Sequence, residues 1–416
     1  MEIQRIENAA GFDALRDEWD ALLTESASDC VFLTWEWLRI WWNHLAEGRQ
    51  LRVLTVRRGG ELVALAPLAV RPCFVRRMFP FRVIDFLGCG TVGSDYLDLV
   101  VRRGVETETL EELSLSLGRS NRMLELSQLR GASSMAAALA GQLELRGWKS
   151  ARTKINICPF IDLCGQTWTD YLAGLGSEHR YNVQRKLKNL SKRFEVAFEE
   201  VKDESQRGPA LQLLISLHNR RWTGRGEGSD AFHTPGHLAF HEEFTAAALR
   251  RGWLRLYVLR LDGKPASALY GLRYGRTFYF YQSGFDPEYS RHSVGLVTMA
   301  LAIKGAIEEG AEEYDLLHGD ESYKFHWAKQ SRDLERLELY PPGARGLYYR
   351  AMNSGERFGR RCARRLFRDG SGGASQSKSG SADRGTLEAP ATEEPPAEDQ
   401  IAVRTVSNQD RRKDSL

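Results

Sequence analysis

The residues best suited to holding an anion are Arg291-His292-Ser293-Val294-Gly295-Leu296-Val297, a turn between an aromatic strand and a long apolar helix. The first backbone N–H groups of a helix have no partner within it and lie at the positive end of its dipole, so such a junction attracts phosphate. Gly295 lets a pyrophosphate approach the backbone, Ser293 can cap the helix or donate to a phosphate oxygen, and Arg291 and His292 supply charge or donors. The same residues also suit an ordinary Ser-capped helix with a glycine in its first turn. Beyond the helix, Asp315, His318, Asp320, Glu321, Tyr323 and Lys324 follow in one short run. They combine carboxylates, a phenol and an imidazole that titrates near neutrality.

Two more clusters carry charge. Glu178 to Lys186, continued by Lys188, Lys192 and Arg193, forms a strongly basic helix; Arg180 and Arg185 are its candidate binding residues. It can face an anionic partner, although charge runs usually mark solvated faces. His218, Asn219, Arg220, Arg221 and Trp222 end the next helix, where Trp222 can equally be a packed core residue.

These groups need elements to hold them. Helical spacing of apolar residues predicts helices over Gly11–Ser26 and Thr34–Leu45. β-type runs follow at Leu51–Val56, Leu62–Val70, Phe81–Leu87 and Tyr96–Val101, the first two joined by Gly59-Gly60. A helix near Glu106–Leu117, a strand near Arg122–Leu126 and a helix near Ala132–Arg146 close a first α/β layer around Phe160. The second half, Trp168 to Tyr340, repeats the order. Helices at Trp168–Leu175, Glu178–Ser191, Gly208–Trp222 and Pro235–Arg251 precede a hairpin, Trp253–Leu261 and Ala266–Tyr274, turned by Asp262-Gly263-Lys264. Then come a strand Thr277–Gly284, the turn, a helix Val294–Glu309 capped by Gly310, and a strand Tyr314–Leu317. Two units of one layout suggest a duplication.

A chain of 416 residues exceeds what one hydrophobic core supports. With 58 basic and 55 acidic residues it has no global pull toward nucleic acid or membrane. The cysteines form no C-x-x-C pair and no zinc-type spacing with histidine, so no metal is expected. The N-terminus lacks a secretory pattern, and no apolar stretch is long enough to span a bilayer. A cytoplasmic location is expected, at most peripheral to a membrane. Arg345–Arg368 is rich in arginine with interspersed apolar residues, which suits a basic amphipathic helix docked on its own domain or touching a membrane or another protein; nucleic acid is disfavoured for want of a reading motif. From residue 369 onward the composition is that of a disordered tail.

Tyr281-x-Ser283-Gly284-Phe285-Asp286-Pro287, the Ser293-Val294-Gly295-Leu296 helix start and Gly319-Asp320-Glu321-x-Tyr323-Lys324-x-x-Trp327 together resemble the GNAT superfamily of acyltransferases. The likeness is closest to the CelD/BcsL type associated with cellulose and exopolysaccharide biosynthesis, relatives of the FemAB aminoacyltransferases, and runs from Trp35 to Trp327. It implies an α/β (α+β) fold of tandem GNAT-like, FemAB-like mixed sheets flanked by helices. Residues 1–160 would be a half without a cofactor loop and 161–342 the acyltransferase domain. Acetyl-CoA or another acyl-CoA would be the donor, and an amine or hydroxyl of a sugar or cell-envelope precursor the acceptor. A FemAB-like aminoacyl-tRNA-dependent transferase and a non-catalytic scaffold are the alternatives. On the family pattern His292 opens the pyrophosphate loop, Gly295 is its first glycine, and Val297 replaces its second small residue. Acyl transfer needs a base for the acceptor, stabilisation of the carbonyl oxygen and a proton for the leaving thiolate. Asp315, Asp320, Glu321 or His318 would be the base, strand N–H groups near Ser283 would polarise the carbonyl, and Tyr323 would protonate sulfur. Lys324, with Arg180, Arg185, His218, Arg221 and Trp222, would contact substrate.

Overall fold

The computed structural model describes residues 1–75, 79–90, 92–223, 232–352 and 403–404. The first half contains β1 (Glu2–Ile6), α1 (Ala9–Asp13), α2 (Arg16–Thr24), α3 (Trp35–Leu45), β2 (Gln50–Arg58), β3 (Glu61–Val75), β4 (Phe79–Phe86) and β5 (Val100–Val101). It continues with α4 (Glu106–Ser120), β6 (Leu124–Arg130), α5 (Met135–Glu144) and β7 (Lys149–Asp162). The second half opens with α6 (Trp168–Gly174), α7 (Ser177–Arg193), β8 (Val196–Glu200), α8 (Glu204–Thr223) and α9 (Pro235–Arg250). It then runs through β9 (Leu254–Leu261), β10 (Lys264–Tyr274), β11 (Thr277–Phe285), α10 (Val294–Glu308), β12 (Glu313–Asp315), α11 (Lys324–Trp327) and β13 (Gln330–Tyr340). Val403–Arg404 (β14) pairs in parallel with β8. Apart from those two residues, the expected tail lies outside the described residues, as does the basic segment beyond residue 352. Residues 344–352 are helical, and Tyr349 is buried against Phe81 of the first half and Tyr340 of β13.

All strands belong to one mixed sheet in the order β1-β2-β3-β4-β6-β13-β7-β12-β11-β10-β9-β8-β14, with β5 attached to β3. Its centre departs from two separate layers. β13, the last long strand of the second half, lies between β6 and β7, and β7, the last of the first half, lies between β13 and β12. The halves exchange their closing strands, and the expected break near Phe160 falls inside β7.

Neither exchanged strand was expected, because their sequences, KSARTKINICPFID and QSRDLERLELY, are too charged for a buried-strand pattern. The charges are compensated across the ladder. Lys154 meets Asp333 at 2.6 Å and Arg152 meets Glu335 at 3.4 Å, while within β13 the buried Glu338 carboxylate accepts from Tyr340 Oη at 2.9 Å. The other departures are local. β1 and β8 are sheet strands that the periodicity misses. Tyr96–Leu99 is a loop, with Tyr96 at φ 58°, and only Val100–Val101 pairs. β12 ends at Asp315, and Leu317 turns to φ 55°.

Two large cores cover the sheet, besides the small cluster around Tyr349. The larger joins α3 of the first half to α8 and α9 of the second, with Trp37 edge-on to Phe240 at 4.9 Å and to Phe244 at 4.7 Å. The second packs α6, α7 and α10 over β9–β12. Gly284 in β11 is required by this layering: a Cβ there would stand 2.4 Å from the backbone N of His218 in α8. Gly284→Ala is therefore expected to cost about 1–3 kcal/mol through overpacking against backbone that cannot rotate away. An unchanged urea midpoint would contradict the close approach.

Candidate active site

β11 and β12 pair in parallel over only three positions, Thr277 with Glu313, Phe278 with Tyr314 and Tyr279 with Asp315. β11 then continues with β10 as far as Phe285. The chain after Asp315 stays with β7, through Leu316 N to Pro159 O (2.9 Å) and Gly319 N to Ile157 O (3.0 Å). The strands part, and the opening leaves the β11 edge without a neighbour strand: Ser283 N–H donates to Gln282 Oε1 at 3.1 Å.

On the α7 and α10 side the opening adjoins a cleft of about 770 Å³. Ser283, Gly284 and Phe285 of β11, Gly295 and Leu296 of α10, Tyr323, His326 and Trp327 around α11, and His179, Tyr181 and Arg185 of α7 contribute to its walls. Gly295 faces this space, where a Cβ would meet Phe285 Cδ1 at 3.4 Å. Ser293 occupies the N-cap position at φ 58°, and its hydroxyl makes no capping bond. Val294 and Val297 are wholly buried in the core under α10. The Val297 side chain therefore does not face the cleft, and its bulk there does not obstruct a ligand. His179 stacks on His326 at 5.3 Å and meets Trp327 edge-on at 4.5 Å, while its Nε2 is buried without a partner among the described residues. Burial, with His326 beside it, lowers the His179 pKa and favours the neutral ring.

From the other half, the segment Val92–Tyr96 closes the opening. Tyr281 Oη donates to Val92 O, and Trp37 Nε1 donates to Ser94 Oγ at 2.8 Å. Asp95, completely buried, accepts from the His318 backbone N–H at 2.8 Å and lies 2.9 and 3.1 Å from His318 Nδ1 through its two oxygens. A carboxylate can only accept, so Nδ1 carries the proton and Nε2 of the neutral ring is left as the base. The His318 side chain is 38 % exposed. The charge of Asp95 and the hydrogen bond to it raise the His318 pKa above the ordinary histidine value, against an opposing effect of burial. Residues adjacent to this pair, Tyr96 and Leu317, both hold left-handed backbone, which costs a non-glycine residue free energy and is concentrated at functional sites.

Asp315 is not on the cleft. It is fully buried, accepting from Tyr96 Oη at 2.6 Å, Arg332 Nη1 at 3.1 Å and Leu317 N at 2.8 Å, and burial pushes its carboxyl up to about 6. Its partners make it a support for the loop rather than a free base. Asp320 and Glu321 are exposed and outside the cleft walls. Lys324, expected to steer an anion, is buried. Its ammonium donates to His318 O at 2.7 Å and Leu317 O at 3.2 Å and pairs with Glu321 at 3.1 Å, so its donors are spent on the loop that carries His318. Gly319, at φ +129°, makes room for this, since a Cβ would lie 2.8 Å from Lys324 Nζ.

The remaining expected residues scatter. His218 packs on the opposite face of the sheet, its Nδ1 donating to Ser283 O at 3.1 Å. Arg180 donates to Ala173 O at 3.0 Å. Arg291 and His292 are side by side at the start of α10, off the cleft walls, with Lys186 Nζ donating to Arg291 O at 3.4 Å. Arg221 and Trp222 continue α8, and their side chains fall outside the described residues. Asp95 is the residue that sequence reasoning missed; its only signal was a polar Gly93-Ser94-Asp95-Tyr96 turn in a half regarded as lacking a site. Among the described residues no cluster of three or more His, Cys, Asp or Glu could hold a metal, and no helix is long and apolar enough to cross a membrane.

Residues 177–325, from α7 into α11, match the family model for the Acetyltransferase (GNAT) domain. The second half is GNAT-like. FemX is similar in fold, at 14 % identity and a TM-score of 0.56, covering 81 % of this chain and 97 % of its own. A conserved protein of unknown function from Bacteroides thetaiotaomicron is similar at 12 % identity and a TM-score of 0.50, covering 81 % of this chain and 99 % of its own. Both span the two halves, so the tandem GNAT-like architecture extends across the whole sheet. No curated protein matches the sequence.

Lys324→Met is expected to leave the Leu317 and His318 carbonyls unpaired and to lower stability by about 1–3 kcal/mol. Hydrogen exchange should show faster exchange at residues 317–319. Unchanged exchange there would mean that the ammonium does not hold the loop.

Proposed function

We propose that the chain is an acyltransferase that moves an acetyl or other acyl group from acyl-CoA to an amine or hydroxyl. The observation that carries this is one opening in the GNAT-like sheet, with a donor-sized cleft walled by Gly295 on its α7 and α10 side and the Asp95–His318 pair, itself outside the cleft walls, on the loop that leaves β12. The cleft fits a phosphopantetheine thioester: it combines apolar walls, Arg185 for phosphate, a glycine where backbone approach is needed and an unpartnered imidazole nitrogen at His179. His318 Nε2 takes the proton of the acceptor as its nitrogen or oxygen attacks the thioester carbonyl. Backbone N–H groups on the open edge of β11 stabilise the oxyanion. The C–S bond then breaks, and Tyr323, on the cleft wall, returns a proton to sulfur. Asp95 holds the His318 tautomer and stabilises the imidazolium, and Lys324 holds the loop. The acceptor we favour is a sugar, amino sugar or other cell-envelope or exopolysaccharide precursor, supported by the motifs around Ser283 and Tyr323 that resemble the CelD/BcsL type.

Calorimetry with acetyl-CoA and free coenzyme A tests the donor. Binding that Gly295→Glu abolishes is expected; no binding at millimolar ligand would overturn the donor assignment. Coenzyme A release in the presence of amino sugars tests the base. Protonated His318 cannot accept a proton, so the rate should rise with pH through a pKa above the ordinary value of about 6.5. His318→Gln should lower it by about 10²-fold or more. A rate that is flat with pH and insensitive to this substitution would remove His318 from the chemistry.

A further inference from the structure

The charge of α7 is not used up by the cleft. Along its 17 residues stand Arg180, Arg185, Lys186, Lys188, Lys192 and Arg193 against a single acid, Glu178, and among the described residues none of the six cations has a carboxylate within ion-pair distance. Tyr181, Arg185, Lys188 and Lys192 recur at spacings of four, three and four, which places them on one face of the helix, and all four are exposed. Tyr181 is 65 % exposed, with the Arg185 guanidinium 5.7 Å from its ring centre. Tyr181 and Arg185 line the cleft, whereas Lys188 and Lys192 lie about 4.5 and 10.5 Å further along the axis, outside its walls.

We propose that the Tyr181–Arg185–Lys188–Lys192 stripe docks a small acidic carrier protein that delivers the acyl group to the cleft as a thioester on a phosphopantetheine arm. This rests on the acyltransferase reading and names the donor's carrier. A donor nucleotide seated in the cleft accounts for Arg185 but not for two further turns of uncompensated lysine. An aromatic and an arginine at the cleft mouth, followed by lysines, form an anchor with a steering flank, the arrangement by which protein interfaces gain affinity and encounter rate. The transfer balances as before: the thioester C–S bond breaks, the acceptor C–N or C–O bond forms, and the carrier regains its thiol with the acceptor's proton.

The probe is the acetylated holo form of the acyl carrier protein of bacterial fatty-acid synthesis, titrated into the full chain by calorimetry. Binding at about 50 mM NaCl that weakens about tenfold or more at about 300 mM is expected from contacts between charged surfaces. Lys188→Glu/Lys192→Glu should weaken carrier binding about tenfold or more while leaving acetyl-CoA affinity unchanged. Absence of carrier binding at low salt, or an affinity indifferent to the charge reversal, overturns the proposal. So does tighter, stripe-dependent binding of tRNA, which would make the surface a nucleic-acid site. Acetyl-CoA affinity of the same chain reads the cleft separately, so an inert stripe beside a working cleft rejects the carrier alone.

Discussion

The antiparallel ladder between β7 and β13 is the interaction on which the rest of the structure depends, because each strand comes from one half and completes the sheet of the other. Eleven positions of β13 pair with β7, from Gln330 opposite Phe160 to Tyr340 opposite Lys149. Neither half has a continuous sheet without the other's strand. The exchange also sets the geometry of the site. With β7 on its outer side, the chain after Asp315 is held away from β11, and the parallel pair opens where a thioester would have to be reached from the cleft.

What fills that opening is as consequential as the opening. A GNAT-like half alone would leave the His318 ring without its buried hydrogen-bonded carboxylate. In the tandem, Trp37 fixes Ser94, Ser94 donates to Gly88 O at 2.8 Å, and the turn so held presents Asp95 to both the backbone and the ring of His318. The first half thus supplies the carboxylate that sets the tautomer and raises the basicity of the His318 ring. Left-handed Tyr96 and Leu317 are the local strain accepted for this alignment, offset by the Tyr96–Asp315–Arg332 contacts and the Lys324 clamp.

Much of the outer architecture was legible in the sequence. Apolar periodicity marks α3, α9 and α10 and the β2–β3 and β9–β10 hairpins, because these elements have one buried and one solvated face or a short glycine turn. The centre was not legible. β7 and β13 balance their charges against each other, and a cross-strand pair between residues about 180 positions apart leaves no local pattern. The site was legible in part for the same reason. Ser283, Gly295 and Leu296 reach the cleft because they belong to one strand, turn and helix, and Tyr323 joins them from the start of α11. Lys324 and Asp315 have the residue types of binders and bases, yet their burial and full sets of partners follow only from tertiary packing. Asp95 could be recognised only once the first half was seen to reach into the second.

The claim that one half supplies the acid partner for the other's base is tested most directly by nitrogen NMR of histidine-labelled protein, following the His318 ring through a pH titration in the wild type and in Asp95→Asn. The account expects the neutral wild-type ring to carry its proton on Nδ1 and to titrate above the ordinary histidine value of about 6.5, with a clear fall in Asp95→Asn. An Nε2-protonated neutral ring, or the same titration midpoint in both proteins, would contradict it.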